Sequence, residues 1–280
     1  MNGELAQLVA LAVHGSAWLS RGTGDPPTFA GSSTFLFVRS VTFDWRGSGD
    51  RRSNRADRPA DWLRQFQGRG GRLLLVTRQR PLTAAGVASY NLAGFANGGS
   101  WALYGVAGGG GELWTARWSV DPEISSGRKP RPADNRIWDI GYEGIGTMVR
   151  GPDAMSLGQT EERLKRSVAA AREFAEVEGW TSWAEWLGKA LEMAESENAR
   201  QPYHQDLLLA STPLEVARLL ASASQAWVFG GMGWWNDQGP TVHDTRAFDE
   251  VTEALYEAVL DAIVEAANAA ARSAQQHGTT

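Results

Sequence analysis

Residues 144–158, Gly-Ile-Gly-Thr-Met-Val-Arg-Gly-Pro-Asp-Ala-Met-Ser-Leu-Gly, divide the chain into two halves with different hydrophobic patterns. Before this glycine-rich stretch, short segments of aromatic and β-branched residues are typical of strands. From Gln159 onward, apolar residues recur at the spacing of one helix face. Strands that come first and helices that follow predict an α+β fold rather than an alternating α/β fold.

The first half is predicted to form a mixed or antiparallel sheet. Thr34–Trp45 is rich in aromatic and β-branched residues, and the apolar run Arg72–Arg78 is typical of a buried central strand. Turn signals at Asn97-Gly-Gly and at the four glycines 108–111 indicate a three-stranded meander. Its predicted strands are Leu92–Ala96, Trp101–Ala107 and Glu112–Val120, and a further strand is predicted over Arg136–Tyr142.

The second half is predicted to form a set of about four helices, which we expect to pack against the sheet. Ser182-x-x-Glu185 has the pattern of a capping box. Thr212-Pro-Leu-Glu215 places a capping hydroxyl before a proline at the first helical position, and Asp244 is predicted to cap the last helix. Two earlier helices are predicted over Gly3–His14 and Asp61–Gln67.

Neither half has an obvious complete core of its own. We therefore expect one compact domain over 1–280, with a β-rich region at 1–150 and a helical region at 159–274. The length of 280 residues is sufficient to bury a large core.

The composition excludes several classes of protein. The chain has no cysteine, which removes disulfides, thiolate catalysis and zinc–thiolate or iron–sulfur sites. No apolar run approaches the ~18 residues needed to span a bilayer, and no Lys or Arg precedes Arg21 as the basic start of a signal peptide. We therefore expect a cytoplasmic protein. Among 27 basic residues only Lys129, Lys165 and Lys189 are lysines, which favours a bacterial origin with GC-rich coding.

Charge is distributed unevenly along the chain. Residues 1–150 carry 18 basic and 12 acidic side chains, whereas residues 151–280 carry 9 basic and 20 acidic ones. Such asymmetry can indicate a polar interface within the protein or two different outside partners, but charged helix faces in solvent are the simpler explanation.

No motif of a metal or cofactor enzyme is present. The four histidines, His14, His204, His243 and His277, lie too far apart in sequence for the usual metal-ligand spacings. The glycines at 108–111 lack the Lys-Ser/Thr of a phosphate loop, and no Gly-x-Ser-x-Gly elbow occurs. The sequence therefore predicts neither a metal site nor a cofactor, and leaves open whether any reaction is catalysed.

The stretch Gln225–Pro240 carries the strongest candidate for a binding site. It connects two well-marked helices and contains Gly-Gly-Met-Gly and Gly-Pro, which a helix stop and a turn explain without any function. Adjacent tryptophans cannot both point into one core, so at least one indole is expected at a cleft or a partner surface. The candidate binding residues are Trp227, Trp234, Trp235, Asn236 and Asp237.

Two functions fit this pattern. The first is a protein that binds a protein partner through its Trp-rich surface, as an inhibitor, an immunity protein or a defence accessory would. The second is an enzyme or sensor with an aromatic pocket for a sugar or nucleotide. Catalysis there would use paired carboxylates, with Asp237 beside Asp139 or Glu143 as the candidates. Local structural roles for all three carboxylates remain the simpler interpretation.

Nucleic-acid binding is the third possibility and the least favoured. An arginine-rich segment follows the first predicted strand and could neutralise phosphates. Asp50 and Asp57 dilute its charge, no aromatic residue is interleaved, and the whole chain has a net charge of −5. The arginines concerned are Arg46, Arg51, Arg52, Arg55 and Arg58.

Overall fold

The computed structural model describes residues 1–46, 54–79, 87–108, 110–147, 151–230, 233–239 and 242–276. Within these ranges the fold is α+β, with a six-stranded mixed sheet and eight α-helices. The strands are β1 (Val38–Trp45), β2 (Asn54–Ala56), β3 (Leu73–Arg78), β4 (Trp101–Ala107), β5 (Gly110–Val120) and β6 (Trp138–Thr147). The helices are α1 (Gly3–Arg21), α2 (Pro59–Gly68), α3 (Ser89–Leu92), α4 (Pro122–Ser125), α5 (Leu157–Val177), α6 (Thr181–Glu195), α7 (Leu214–Gln225) and α8 (Thr245–Gln276).

Contacts divide the chain into two compact units. Unit 1 comprises Met1–Leu5, Arg80–Ser100 and Asp153–Ala270, and unit 2 comprises Ala6–Gln79, Trp101–Pro152 and Ala271–Thr280. Unit 2 holds the sheet, and unit 1 holds α5, α6, α7 and most of α8. The division falls within the first and the last helix of the chain. That the whole chain forms a single domain stays a prediction.

The sheet in unit 2 has the strand order β2-β1-β6-β5-β4-β3. Strands β1 and β6 are parallel, and every other pair is antiparallel. The two parallel strands place Phe43 opposite Tyr142, and both rings face the core. Phe43 stacks on Tyr142 at 4.7 Å and on Trp62 of α2 at 4.4 Å between ring centroids. The hydroxyl of Tyr142 donates to the side-chain oxygen of Gln7 in α1 at 2.7 Å, so α1 and α2 pack on the sheet within unit 2.

A partly buried ion pair links the end of α2 to the sheet. The carboxylate of Glu112 on β5 accepts hydrogen bonds from Arg69 Nε at 2.8 Å and from the indole of Trp114 at 3.0 Å. The guanidinium of Arg69 also lies 4.9 Å from the ring of Trp45. A buried carboxylate needs such partners because desolvation strongly disfavours an unpaired charge.

Several predicted boundaries are corrected by the structure. Leu92–Ala96 is not the first strand of the meander: α3 ends at Leu92 and turns follow. The apolar run at β3 is buried as expected, but β3 lies at the edge of the sheet rather than in its centre. Helix α1 continues past His14 to Arg21, because Gly15 allows it to pack closely on the side chains of Leu63 and Leu74.

The predicted helix caps were right at one position and wrong at two. The carboxylate of Asp244 accepts the backbone N–H of Ala247 at 3.0 Å, as expected for the residue that caps α8. Helix α6 begins at Thr181, one residue before the predicted cap Ser182, and α7 begins at Leu214 without a side-chain cap from Thr212.

Candidate functional site

The two adjacent tryptophans of unit 1 have opposite environments. Trp235 opens a 3₁₀ turn, Trp235–Asp237, and its side chain is fully buried with 0% exposure. Its indole N–H donates to the hydroxyl of Thr252 on α8 at 2.9 Å. An aromatic cluster surrounds Trp235 at 5.4–6.3 Å between ring centroids and consists of Phe174, Trp180, Trp183 and Phe248. Trp235 is therefore a core residue that anchors the turn.

Trp234, in contrast, is 37% exposed. One face of its indole covers Gly230 so closely that a Cβ at that glycine would overlap the ring. Its ring lies 6.2 Å from that of the half-buried Trp183 on α6. The indole is thus held by packing on one side and open to solvent on the other.

Hydrogen bonds fix the backbone around Trp234. The side-chain amide of Asn236 pairs with both backbone groups of Gly230, at 3.2 Å to the carbonyl and 3.3 Å from the N–H. The carboxylate of Asp237 accepts the N–H of Gly233 at 2.6 Å, and Gly233 has φ +83°. The backbone N–H of Asp237 donates to the carbonyl of Trp234 at 3.0 Å. Asn236 and Asp237 therefore build the turn that presents Trp234.

A second exposed aromatic residue directly follows, in sequence, a glycine that contacts Gly230. Gly94 contacts the backbone of Gly230 so closely that a Cβ at residue 94 would overlap the carbonyl group. The next residue, Phe95, is 60% exposed. We call Phe95, Trp183 and Trp234 the aromatic surface. Phe95 was not recognised from the sequence, because it fell within a predicted strand and only the contact of Gly94 with Gly230 brings it to this turn.

Trp227 has a structural environment. It is 4% exposed, its indole N–H donates to the carbonyl of Phe229 at 2.8 Å, and the two rings meet edge to face. A partner that binds the aromatic surface would not touch a side chain buried to this degree.

Each of the candidate catalytic carboxylates has a local partner. Asp139 on β6 pairs with Arg39 and accepts a hydrogen bond from Ser40 at 2.6 Å. The hydrogen bond from Arg39 lowers the pKa of Asp139 below its ordinary value. Glu143 pairs with Arg46 at 2.7 Å. Asp139 and Glu143 belong to unit 2 and Asp237 to unit 1, and their convergence stays a prediction.

The described arginines of the candidate nucleic-acid segment also have acidic partners. Arg46 pairs with Glu143 at 2.7 Å, and Arg55 and Arg58 pair with Asp57 and Asp61, each at 2.8 Å. Arg51 and Arg52 lie outside the described residues. Such pairing reduces the positive charge that the three described arginines offer to a phosphate.

Helices α5 and α6 enclose a groove that the sequence did not reveal. Its volume is about 520 Å³. Its charges are mixed, and Arg172 pairs with Glu176 at 2.9 Å within it. The residues that line the groove are Arg172, Glu176, Gly179, Thr181, Ala184, Glu185, Gly188, Lys189 and Glu192.

Over the described ranges, no group of three or more His, Asp or Glu side chains is arranged to hold a metal ion. No helix in the same ranges is long and apolar enough to span a membrane. Comparison of the chain with protein-family models, with curated proteins and with solved structures finds no match.

Proposed function

We propose that this chain is a binding protein that engages a protein partner through the aromatic surface of Phe95, Trp183 and Trp234. The observation that carries the proposal is the opposite exposure of two adjacent indoles. Trp235 is fully buried in the core, while Trp234 is held against Gly230 with 37% of its surface in solvent. Tryptophan is among the commonest anchors of protein interfaces because it buries a large, rigid area on binding.

The ordering of the turn supports the same proposal. Asn236 and Asp237 fix the backbone on both sides of Trp234 before any partner arrives. An anchor that is already held in place loses little conformational entropy on binding. Asn236 and Asp237, which the sequence predicts to bind the partner, would then also hold Trp234 in position for it.

The functional class that we propose for this binding protein is inferred from the sequence. We infer a bacterial inhibitor, immunity or defence-accessory protein, because the chain is arginine-rich and carries no motif of a known catalytic centre. A stable partner would bury about 800 Å² on each side, more than three aromatic side chains alone provide. Neighbouring surface of unit 1 would therefore contribute to the interface.

Affinity capture from bacterial lysates with matched variants tests the proposal. Trp234→Ala combined with Asp237→Ala is expected to lose the captured protein while the chain stays folded, with a melting temperature lowered by only a few degrees. Val177→Ala is the control, since Val177 is also exposed and apolar but lies at the end of α5. Capture that survives the double substitution, or that is lost equally with the control, would overturn the proposal.

Small-molecule binding is a second candidate, supported by a different observation. The groove between α5 and α6 has about 520 Å³, within the range of ~300–1,000 Å³ that is common for ligand pockets. Its charged lining suits a polar ligand with both positive and negative groups rather than a ligand stacked on indoles. Gly188→Leu would place a bulky side chain in the groove, so a ligand found by thermal-shift screening should lose its stabilising effect in that variant. Unchanged stabilisation would place the ligand elsewhere.

A further inference from the structure

The unit that contains Trp234 is acidic. Unit 1 carries 21 acidic and 9 basic side chains, a net charge of −12, whereas unit 2 carries 11 acidic and 18 basic ones. In the same unit, Asp249 accepts a hydrogen bond from the hydroxyl of Tyr90. Burial, this hydrogen bond and the charges of Asp249 and Glu253 all raise the pKa of Tyr90. The aromatic surface therefore belongs to the unit that carries the excess of negative charge.

One carboxylate is held against the backbone beside the exposed indole. The N–H of Asp237 donates to the carbonyl of Trp234, and its carboxylate is bonded to the residue just before Trp234. Asp237 is exposed, and one of its oxygens accepts the N–H of Gly233. No ion pair joins Asp237 to a basic side chain in the part of the chain that the structure describes. Its charge therefore has no local counterion from those residues.

We propose that the partner presents a positively charged surface, one arginine of which stacks on Trp234 and pairs with Asp237. This inference rests on the proposed protein-binding function and names the chemistry of the partner. Arginine fits better than lysine, because its flat guanidinium stacks on an aromatic face and can bond a carboxylate at its edge at the same time. The net charge of unit 1 would also speed the approach of a basic partner.

Titration with designed peptides tests the inference directly. Four 12-residue peptides share one alanine-rich frame and carry four arginines, lysines, citrullines or glutamates. The indole N–H signal of Trp234 is followed by NMR, and assigned from its loss in Trp234→Ala. The arginine peptide is expected to shift this signal saturably, the lysine peptide more weakly, and the citrulline and glutamate peptides not at all. Raising salt from 50 to 500 mM should weaken the arginine peptide about tenfold or more.

Two charge-neutralising variants complete the test. Asp237→Asn should weaken the arginine peptide about tenfold, the usual effect of removing a contact worth ~1.4 kcal/mol. Glu173→Gln, an exposed acidic residue on α5 in the same unit, is the matched control and should have little effect. Equal binding of the citrulline peptide, or equal effects of the two variants, would overturn the inference.

The inference and the proposed function fail in different ways. If binding of the captured protein requires Trp234 but does not change with salt or with Asp237→Asn, the partner does not place a basic residue on Trp234, and the proposed function stands. If capture does not need Trp234, the proposed function itself fails. If Trp234→Ala abolishes self-association in sedimentation, the occupant is a second copy of the chain, whose basic unit 2 would supply the cation, and the inferred outside partner is wrong.

Discussion

At the residue scale, Trp234 and Trp235 are neighbours in sequence with opposite exposure to solvent. The buried indole of Trp235 contacts aromatic rings on α5 and α8 and donates its N–H to Thr252. The indole of Trp234 packs on Gly230 and lies 6.2 Å from the ring of Trp183, and 37% of the residue is exposed to solvent. Because the two residues share one turn, substitutions at each position separate core packing from surface contact.

Trp235→Ala is expected to lower the free energy of unfolding by about 3–5 kcal/mol, because it leaves a cavity and an unpaired hydroxyl in the core. Trp234→Ala should cost less, about 1–2 kcal/mol, since 37% of that residue is already in solvent. Urea unfolding followed by circular dichroism measures both. Equal losses for the two variants would show that Trp234 is a core residue and would weaken the proposed binding role.

His204 is expected to make unit 1 less stable in mild acid. Burial lowers the pKa of His204 below its ordinary value of 6.5, so the folded chain binds its proton less readily than the unfolded chain does. Stability from this residue is therefore present above pH 6.5 and decreases as the pH falls below 6.5. His204→Gln should flatten the dependence of unfolding free energy on pH between about 7 and 5. An unchanged slope would show that other groups cause the acid sensitivity.

At the element scale, the protection of β3 explains how an apolar strand can lie at the edge of the sheet. The hydroxyl of Ser16 on α1 both donates to the carbonyl of Leu74 at 3.0 Å and accepts its N–H at 2.9 Å. Gln275 on α8 donates to the carbonyl of Arg72, just before the strand. Side chains from two helices thus satisfy backbone groups that an exposed edge would offer to another chain.

The same substitution, glycine to alanine, is expected to have opposite effects on stability at two positions. Gly188 lies inside α6, and a Cβ there would meet only the guanidinium of Arg172, at 3.9–4.0 Å. Gly188→Ala should therefore stabilise the protein by about 1 kcal/mol through helix propensity. Gly94→Ala should destabilise it by about 1–3 kcal/mol, because the new Cβ would overlap the backbone of Gly230. Thermal unfolding of the two variants checks both signs. If Gly94→Ala were as stable as the wild type, Gly94 would not pack on Gly230, and Phe95 would have no place in the site of Trp234.

At the scale of the whole molecule, the first and last helices lead us to expect that the chain unfolds in one transition. Helix α1 and helix α8 each contribute residues to both compact units. Loss of either helix would remove part of both cores at once. We therefore expect one cooperative transition in scanning calorimetry, with equal calorimetric and van't Hoff enthalpies. Two resolved transitions would show that the units unfold separately and that the predicted single domain is wrong.

The sequence by itself determined the α+β class, because period-two and helical patterns occupy different halves of the chain. It also predicted the strand Trp101–Ala107 and the cap of α8 at Asp244, both of which the structure confirms. Local backbone preferences and side-chain hydrogen bonds within a few residues suffice for such features. The candidate stretch around Trp234 was recognised for the same reason, as two tryptophans that one core cannot both accept.

Only the tertiary structure decided which tryptophan is buried and what lies beside the exposed one. Trp235 enters the core because Thr252 and the rings of α5 and α8 surround it, and these residues are distant in sequence. Phe95 belongs to the site because Gly94 meets Gly230, a contact across more than a hundred residues that no local pattern encodes. Burial depends on contacts between distant segments, whereas secondary structure depends largely on neighbours, and the candidate site is made of such contacts.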